Sequence, residues 1–241
     1  MGESSRRRKG RGASRPLSSR GSGRPKGPRR REDQPSFKAE DYVVPAEKAV
    51  RQILEESPRQ SAAHQPDHLF RVRDRAISLA RQFEKDEGRR VDLEILALGA
   101  LLHDIDEPYD DKEGHVMRSV GRASEILVKI GYPHERAEKV MSLIAEHSSE
   151  TPTQATSDES LVLFDADKLD GVGAIGIART LVFCGQQGMP PPLAIEWYEE
   201  KIAKAAPLLR TKSGRRLARK QARFVLDFIQ RFKEEQGQFV S

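Results

Sequence analysis

The stretch LALGALLHDIDEPYDD, residues 96–111, is apolar or glycine as far as Leu102 and then turns ionisable at His103, Asp104, Asp106 and Glu107. Delivering imidazole and carboxylate to the end of a helix that heads into a core is unfavourable unless something pairs them. A bound divalent cation is the partner that suits this mixture. The alternative pairs them within the chain: a histidine satisfied by a backbone carbonyl, and an aspartate capping the next turn.

Two further groups have the right chemistry. His64 and His68 are four apart, a spacing that puts both on one face of a helix, and Arg71 follows His68 by about one turn. In LFDADKLDGVGAIGIAR, residues 163–179, Asp165, Asp167 and Asp170 crowd into an otherwise apolar helix. Acids that close repel one another unless a cation lies among them. Either a metal ion or an ion-pair network through Lys168 and Arg179 answers that need.

Helices must position these groups. Leu69, Val72, Ala76, Leu79 or Ala80, and Phe83 recur at helical spacing, with Asp67 able to cap the start and Gly88 near the stop. Asp92 reads as the N-cap of a second helix, apolar on nearly every side, which belongs in the middle of a bundle. Further helices are expected over 116–130 and 134–147, the latter with Ala137, Val140, Ile144 and His147 on one stripe; His134 reads as an ordinary cap. TPTQATSD is a loop by composition, QQGMPPP breaks the pattern again, and two amphipathic helices near 193–209 and 214–235 finish the chain. SLVLF alone has strand character, but no second strand stands ready to pair with it. The expectation is an all-α fold.

The chain has 241 residues, enough for one sizeable domain, with 37% hydrophobic and 33% charged residues. No apolar run is long enough to span a bilayer, no secretory signal is evident, and Cys184 is the only cysteine, so a cytoplasmic protein is expected. One cysteine excludes an internal disulfide and a thiolate zinc site, which leaves histidines and carboxylates as ligands.

The net charge of +5 is unevenly divided. Residues 1–37 hold twelve Lys or Arg against three Asp or Glu, whereas the remainder holds 30 against 34. Residues 1–40 therefore read as a disordered Arg/Gly/Ser/Pro-rich tail and 41–241 as the folded domain. The tail is either a solubilising segment or an arm for non-specific contact with nucleic acid; Gly and Pro spoil the amphipathic helix an organellar transit peptide needs.

The order His68, His103-Asp104, then an Asp in ADKL, together with AAH…HLFRV, LLHDI, HVMRS, IAEHS, DADKLDGVGAIGIAR and GRRLARKQARFVLDFI, resembles the HD-domain phosphohydrolase superfamily. The likeness covers about residues 62–235 and is to the branch related to bacterial nucleotide pyrophosphohydrolases. It implies a helical bundle in which His68, His103, Asp104 and Asp167 bind the metal, with Asp165 and His64 behind them. His115 and His147 stand where some members hold a second ion. Where that branch commonly has an acid directly after the first histidine of H-x3-H, this chain has Gln65, so Asp67 is the expected substitute as support for His68.

The implied cofactor is a divalent metal (Mn²⁺, Fe²⁺, Co²⁺, Ni²⁺, Zn²⁺ or Mg²⁺), and the implied activity is metal-dependent hydrolysis of a phosphate ester or anhydride in a nucleotide or related small phosphorylated metabolite. Asp104 and Glu107 are the catalytic candidates, Glu107 as general acid or base. Arg71, Lys168 and Arg179 are the candidates for substrate phosphate. The alternative is a non-catalytic nucleotide- or RNA-binding module of the same fold.

Overall fold

The computed structural model describes residues 38–56, 67–106, 114–148 and 155–237. Among them there are helices and no strand, so SLVLF is helical. The helices are α1 (Val43–Glu56), α2 (Asp67–Glu87), α3 (Leu93–Leu102), α4 (His115–Lys129), α5 (His134–Ala145), α6 (Asp158–Asp170), α7 (Ala174–Gln186), α8 (Pro191–Ala205) and α9 (Lys212–Gly237), with a 3₁₀ turn, Ala206–Leu208, ahead of α9. None of them is long and apolar enough to cross a membrane.

α3 is the hub. Asp92 accepts hydrogen bonds from the amides of Glu94 and Ile95 at its start, and every residue from Ile95 to Leu102 is buried. A helix apolar on all sides can be stable in water only if neighbours surround it, and α1, α2, α5 and α6 do so. The closest approach is at Gly99, where any side chain would collide with Leu143 of α5. This packing carries the end of α3, and with it His103 and Asp104, to the centre of the domain.

α2 and α6 lie against each other as well as against α3. α2 begins at Asp67, so His68 sits in its first turn. α6 is capped by the Ser157 hydroxyl, which accepts from the amide of Ser160. It has buried residues on all sides, because α2 and α3 cover one flank and α9 the other. A second, smaller apolar cluster, built from Val172, Ile177, Ile195, Tyr198, Val225 and Ile229, ties α7 and α8 to the later turns of α9.

Candidate metal centre

His68 from α2, His103 and Asp104 from the end of α3, and Asp167 from α6 meet because those three helices pack on one another. One donor atom of each lies within 4.8 Å of every other. His68 Nε2 is 3.9 Å from Asp104 Oδ2 and 3.5 Å from Asp167 Oδ1; His103 Nε2 is 3.4 Å and 3.6 Å from the same two atoms. Such spacings are long for hydrogen bonds but suit donors that share one ion at about 2.0–2.2 Å.

The far nitrogens of the rings decide how they face. His103 Nδ1 lies 2.9 Å from the carbonyl of Ala100 and His147 Nδ1 2.6 Å from that of Ile144. A carbonyl only accepts, so each Nδ1 carries a proton and each Nε2 is the nitrogen left to face the cluster, where a metal ligand's donor must be. For His103 the two sequence-level readings therefore coexist: the ring is satisfied by a carbonyl on one side and directed at the cluster on the other.

Asp104 also belongs to a second group with His115 and His147. Its Oδ1 lies 3.0 Å from His147 Nε2 and 3.8 Å from His115 Nε2, while its Oδ2 faces His68 and His103. One carboxylate thus stands between two donor sets. His103 Nε2 and Asp104 Oδ1 are buried with no hydrogen-bond partner among the described residues. Unsatisfied buried polar atoms are unfavourable; a cation on the His68 and His103 side would satisfy His103 Nε2, and one on the His115 and His147 side would satisfy Asp104 Oδ1. The donor set fits a divalent metal on this test.

The electrostatics agree. Burial raises the pKa of Asp104 and Asp167, but His103 and His147 for the first, and Lys168 and His103 for the second, hold both carboxyls well below the usual range. Burial works against charge on His103 too, yet Asp104 and Asp167 push it up to about 9. His68 moves the other way, lowered chiefly by burial. One proton on His103 balances the carboxylates here, and it is the proton a metal would displace.

Support for His68 comes from an unexpected residue. Asp67 is exposed at the helix start, and the carboxylate beside His68 is that of Asp170, buried at the end of α6 and 2.8 Å from Nδ1. Asp170 also accepts from Arg71 Nε at 2.9 Å, Arg71 Nη2 at 3.0 Å and Arg179 Nη1 at 2.6 Å, with Arg75 Nη2 at 3.8 Å. These groups hold its pKa well below the usual range against the effect of burial, His68 first among them. Neither the part of Asp170 nor Arg75 was anticipated. The signal was there, because Arg71 and Arg75 follow His68 at i+3 and i+7 on one face of α2, and Asp170 follows Asp167 by one turn.

Asp165 is a correction. Its carboxylate accepts from the amides of Arg210 and Thr211 at 2.7 and 2.8 Å and from the Thr211 hydroxyl at 2.6 Å. It fastens α6 to the start of α9 instead of standing behind the ligands, and Gly214 leaves room for it where a side chain would collide. Lys168 Nζ is 3.0 Å from Asp167 Oδ2. His134 is exposed at the start of α5. Glu146, also missed, is buried beside His147 and holds the chain ahead of α6 through Thr156 and the Ser160 hydroxyl. His64, Gln65 and Glu107 lie outside the described residues.

Lys168 leads away from the cluster into a cavity of ≈170 Å³ between α6, α8 and α9. Its walls are mainly Val172, Ile202, Leu209 and Ala218, and Arg215 and Arg219 join Lys168 in lining it. A mainly apolar hollow with a few cations in its lining suits a ligand with an organic body and an anionic group.

Residues 67–171 match the profile of the HD domain family, which supports placing this region in the HD-domain superfamily. Among its relatives is YpgQ of Bacillus subtilis, 29% identical over an alignment of 185 residues that covers 73% of this chain and 86% of YpgQ. The crystal structure of YpgQ in complex with ADP superposes with a TM-score of 0.62 at 27% identity, covering 79% of this chain and 97% of that one. An HD-superfamily hydrolase from Bacillus thuringiensis gives a TM-score of 0.63 at 28% identity, covering 83% of this chain and 99% of its own.

Proposed function

We propose that this chain is a metal-dependent phosphohydrolase that cleaves a phosphate ester or anhydride bond in a nucleotide or related small phosphorylated metabolite. The observation that carries the reading is Asp104, half-buried between two donor sets, with its buried Oδ1 and the Nε2 of His103 lacking a hydrogen-bond partner among the described residues. His68, His103, Asp104 and Asp167 hold one ion in this reading, and His115 and His147 join Asp104 around a second. Imidazole with carboxylate, without thiolate, suits Mn²⁺, Fe²⁺, Co²⁺, Ni²⁺ or Zn²⁺, and admits Mg²⁺. A divalent ion in such a site supplies a bound water acidic enough to act near neutral pH and polarises a phosphoryl oxygen.

The chain's own residues supply the rest. Asp170 fixes the ring of His68, and the Ala100 and Ile144 carbonyls fix those of His103 and His147, so the donors are oriented before any ligand arrives. Arg71 uses Nε and Nη2 on Asp170, which leaves Nη1 to bind a phosphate oxygen. Arg179 and Lys168 add positive charge on either side of the cluster, where the phosphate of a bound substrate has to lie. The cavity beyond Lys168 takes the organic body; that YpgQ was crystallised with ADP favours a nucleotide over other phosphate esters.

Elemental analysis of the purified chain, followed by phosphate and pyrophosphate release from a nucleotide panel with Mn²⁺, Mg²⁺, Co²⁺ or Ni²⁺, tests the proposal. The expected result is stoichiometric metal and release of one product. Asp104→Ala should lose both metal and turnover, and a variant with parental turnover would overturn the assignment.

A further inference from the structure

α9 carries a second feature that the hydrolase reading does not use. Between residues 210 and 223 the chain has seven Lys or Arg and no Asp or Glu, although the whole of residues 38–241 is net acidic. At about 100° per residue, Lys212, Arg215, Arg216, Arg219, Lys220 and Arg223 fall within one arc of the helix, opposite its buried face at Ala218, Val225 and Ile229. All six are exposed. At ~1.5 Å per residue the row is about 17 Å long.

A face that serves only for solvation would interleave acids with these cations, and this protein does so elsewhere. Arg51 pairs with Glu47 in α1, Lys204 with Glu200 in α8, and Arg231 with Glu235 near the end of α9 itself. The first half of α9 does the opposite. Residues 212 and 216, 215 and 219, 216 and 220, and 219 and 223 are like charges at i,i+4, a spacing that destabilises a helix. Arg216 reaches Asp86 and Arg215 the carbonyl of Leu209, but Arg219, Lys220 and Arg223 have no ion pair among the described residues. Phe224 stands at the end of the row, 50% exposed. Arg215 and Arg219, in the middle of the row, also line the cavity that Lys168 lines.

We propose that this face of α9 is a binding track for single-stranded nucleic acid, with the cations on the phosphate backbone and Phe224 stacked on a base. Cations without intramolecular partners suit a phosphodiester chain, and an exposed aromatic ring beside them selects unpaired bases over a phosphate polymer that lacks them. Readout is by charge and stacking, so the track is indifferent to base sequence.

The test uses the full chain, with the basic residues 1–37 intact in every variant so that their contribution is constant. Binding of a labelled oligouridylate of about 16 nucleotides, the upper site size for one small binding domain, is followed by fluorescence anisotropy across a salt series. Lys220→Gln with Arg223→Gln should weaken binding about tenfold at low salt and reduce the salt slope by about 1.4, as the loss of two single-strand phosphate contacts requires. Neither residue lines the cavity, so turnover of a free nucleotide should be unchanged. Phe224→Ala should weaken oligouridylate binding by at least about fivefold and leave binding of inorganic polyphosphate as it was. Parental affinity and slope in the double variant would overturn the proposal, leaving any binding to residues 1–37. Equal losses for both polymers in Phe224→Ala would overturn the assignment to nucleic acid in favour of a general polyanion face.

Discussion

Asp165 and Asp170 lie five residues apart in one helix, and neither is accessible to solvent. Asp165 takes its hydrogen bonds from neutral donors, the amides of Arg210 and Thr211 and the Thr211 hydroxyl, and burial leaves its pKa above the ordinary value in spite of them and of the charge on Arg215. Asp170 is surrounded by His68, Arg71 and Arg179, with Arg75 close by, and its pKa is held down. The same side chain on the same helix is therefore a neutral-style cap in one place and the counter-charge of a cationic cluster in the other. Burial of a carboxylate does not by itself mark a site; the charge of its partners does.

The largest effect that follows is at Asp170. Asp170→Asn leaves Arg71, Arg75 and Arg179 facing one another across a buried amide, and breaking a buried ion cluster this way costs about 3–5 kcal/mol. It also removes the acceptor that orients His68, for which metal-site precedents give a loss of roughly 10–100-fold in metal affinity. Urea unfolding and calorimetric titration of Mn²⁺ would measure the two losses. A destabilised variant with unchanged Mn²⁺ affinity would show that Asp170 balances charge without orienting His68.

Asp165→Asn should be milder, about 1–3 kcal/mol: the amide keeps one acceptor oxygen and turns its NH2 on the donors of the other, since Arg210 N–H and Thr211 bond different carboxylate oxygens, but the substitution also removes a charge that burial already disfavours. Metal retention and turnover should stay near the parental level. Metal loss as large as that of Asp170→Asn would erase the distinction between the two residues.

The different fates of these aspartates show how far the sequence could be read. α3 was legible because Asp92 caps it and Ile95–Leu102 leave no polar face, so the helix had to be central and had to carry His103-Asp104 at its interior end. The meeting of His68, His103, Asp104 and Asp167 followed from the family resemblance, and the structure brings these residues together. α6 was not orientable in the same way. An amphipathic helix reveals its inner face by its pattern, but α6 is covered on both flanks and has none to reveal. Asp165 turns to α9 while Asp170 turns to α2, and only the packing of α6 between them distinguishes the two. The partner of His68 was missed for the same reason, since Asp170 lies 102 residues away in sequence. The limits of the last two helices were nearly right; the difference is the 3₁₀ turn at Ala206–Leu208, which ends α8 early, and α9 then starts at Lys212.

The smallest effect sharpens the comparison from the side of Asp165's partner. Thr211 is buried; its hydroxyl donates to Asp165 and accepts from the amide of Gly214 in the first turn of α9, so one oxygen both satisfies the carboxylate and caps the helix. Thr211→Val keeps the shape and removes both bonds together with the hydroxyl's contact to Ser213, and should destabilise the fold by about 1 kcal/mol. The informative measurement is the double variant with Asp165→Asn. If the carboxylate and the hydroxyl act as one clamp on the start of α9, the two losses will not add, and unfolding free energies should reveal a coupling of at least about 0.5 kcal/mol. Thr211→Val combined with Asp170→Asn should instead be additive, because Asp170 shares no partner with Thr211. Coupling in that second pair would mean that the cap and the cationic cluster respond as a single unit, and the division of α6 into an architectural half and a chemical half would have to be given up.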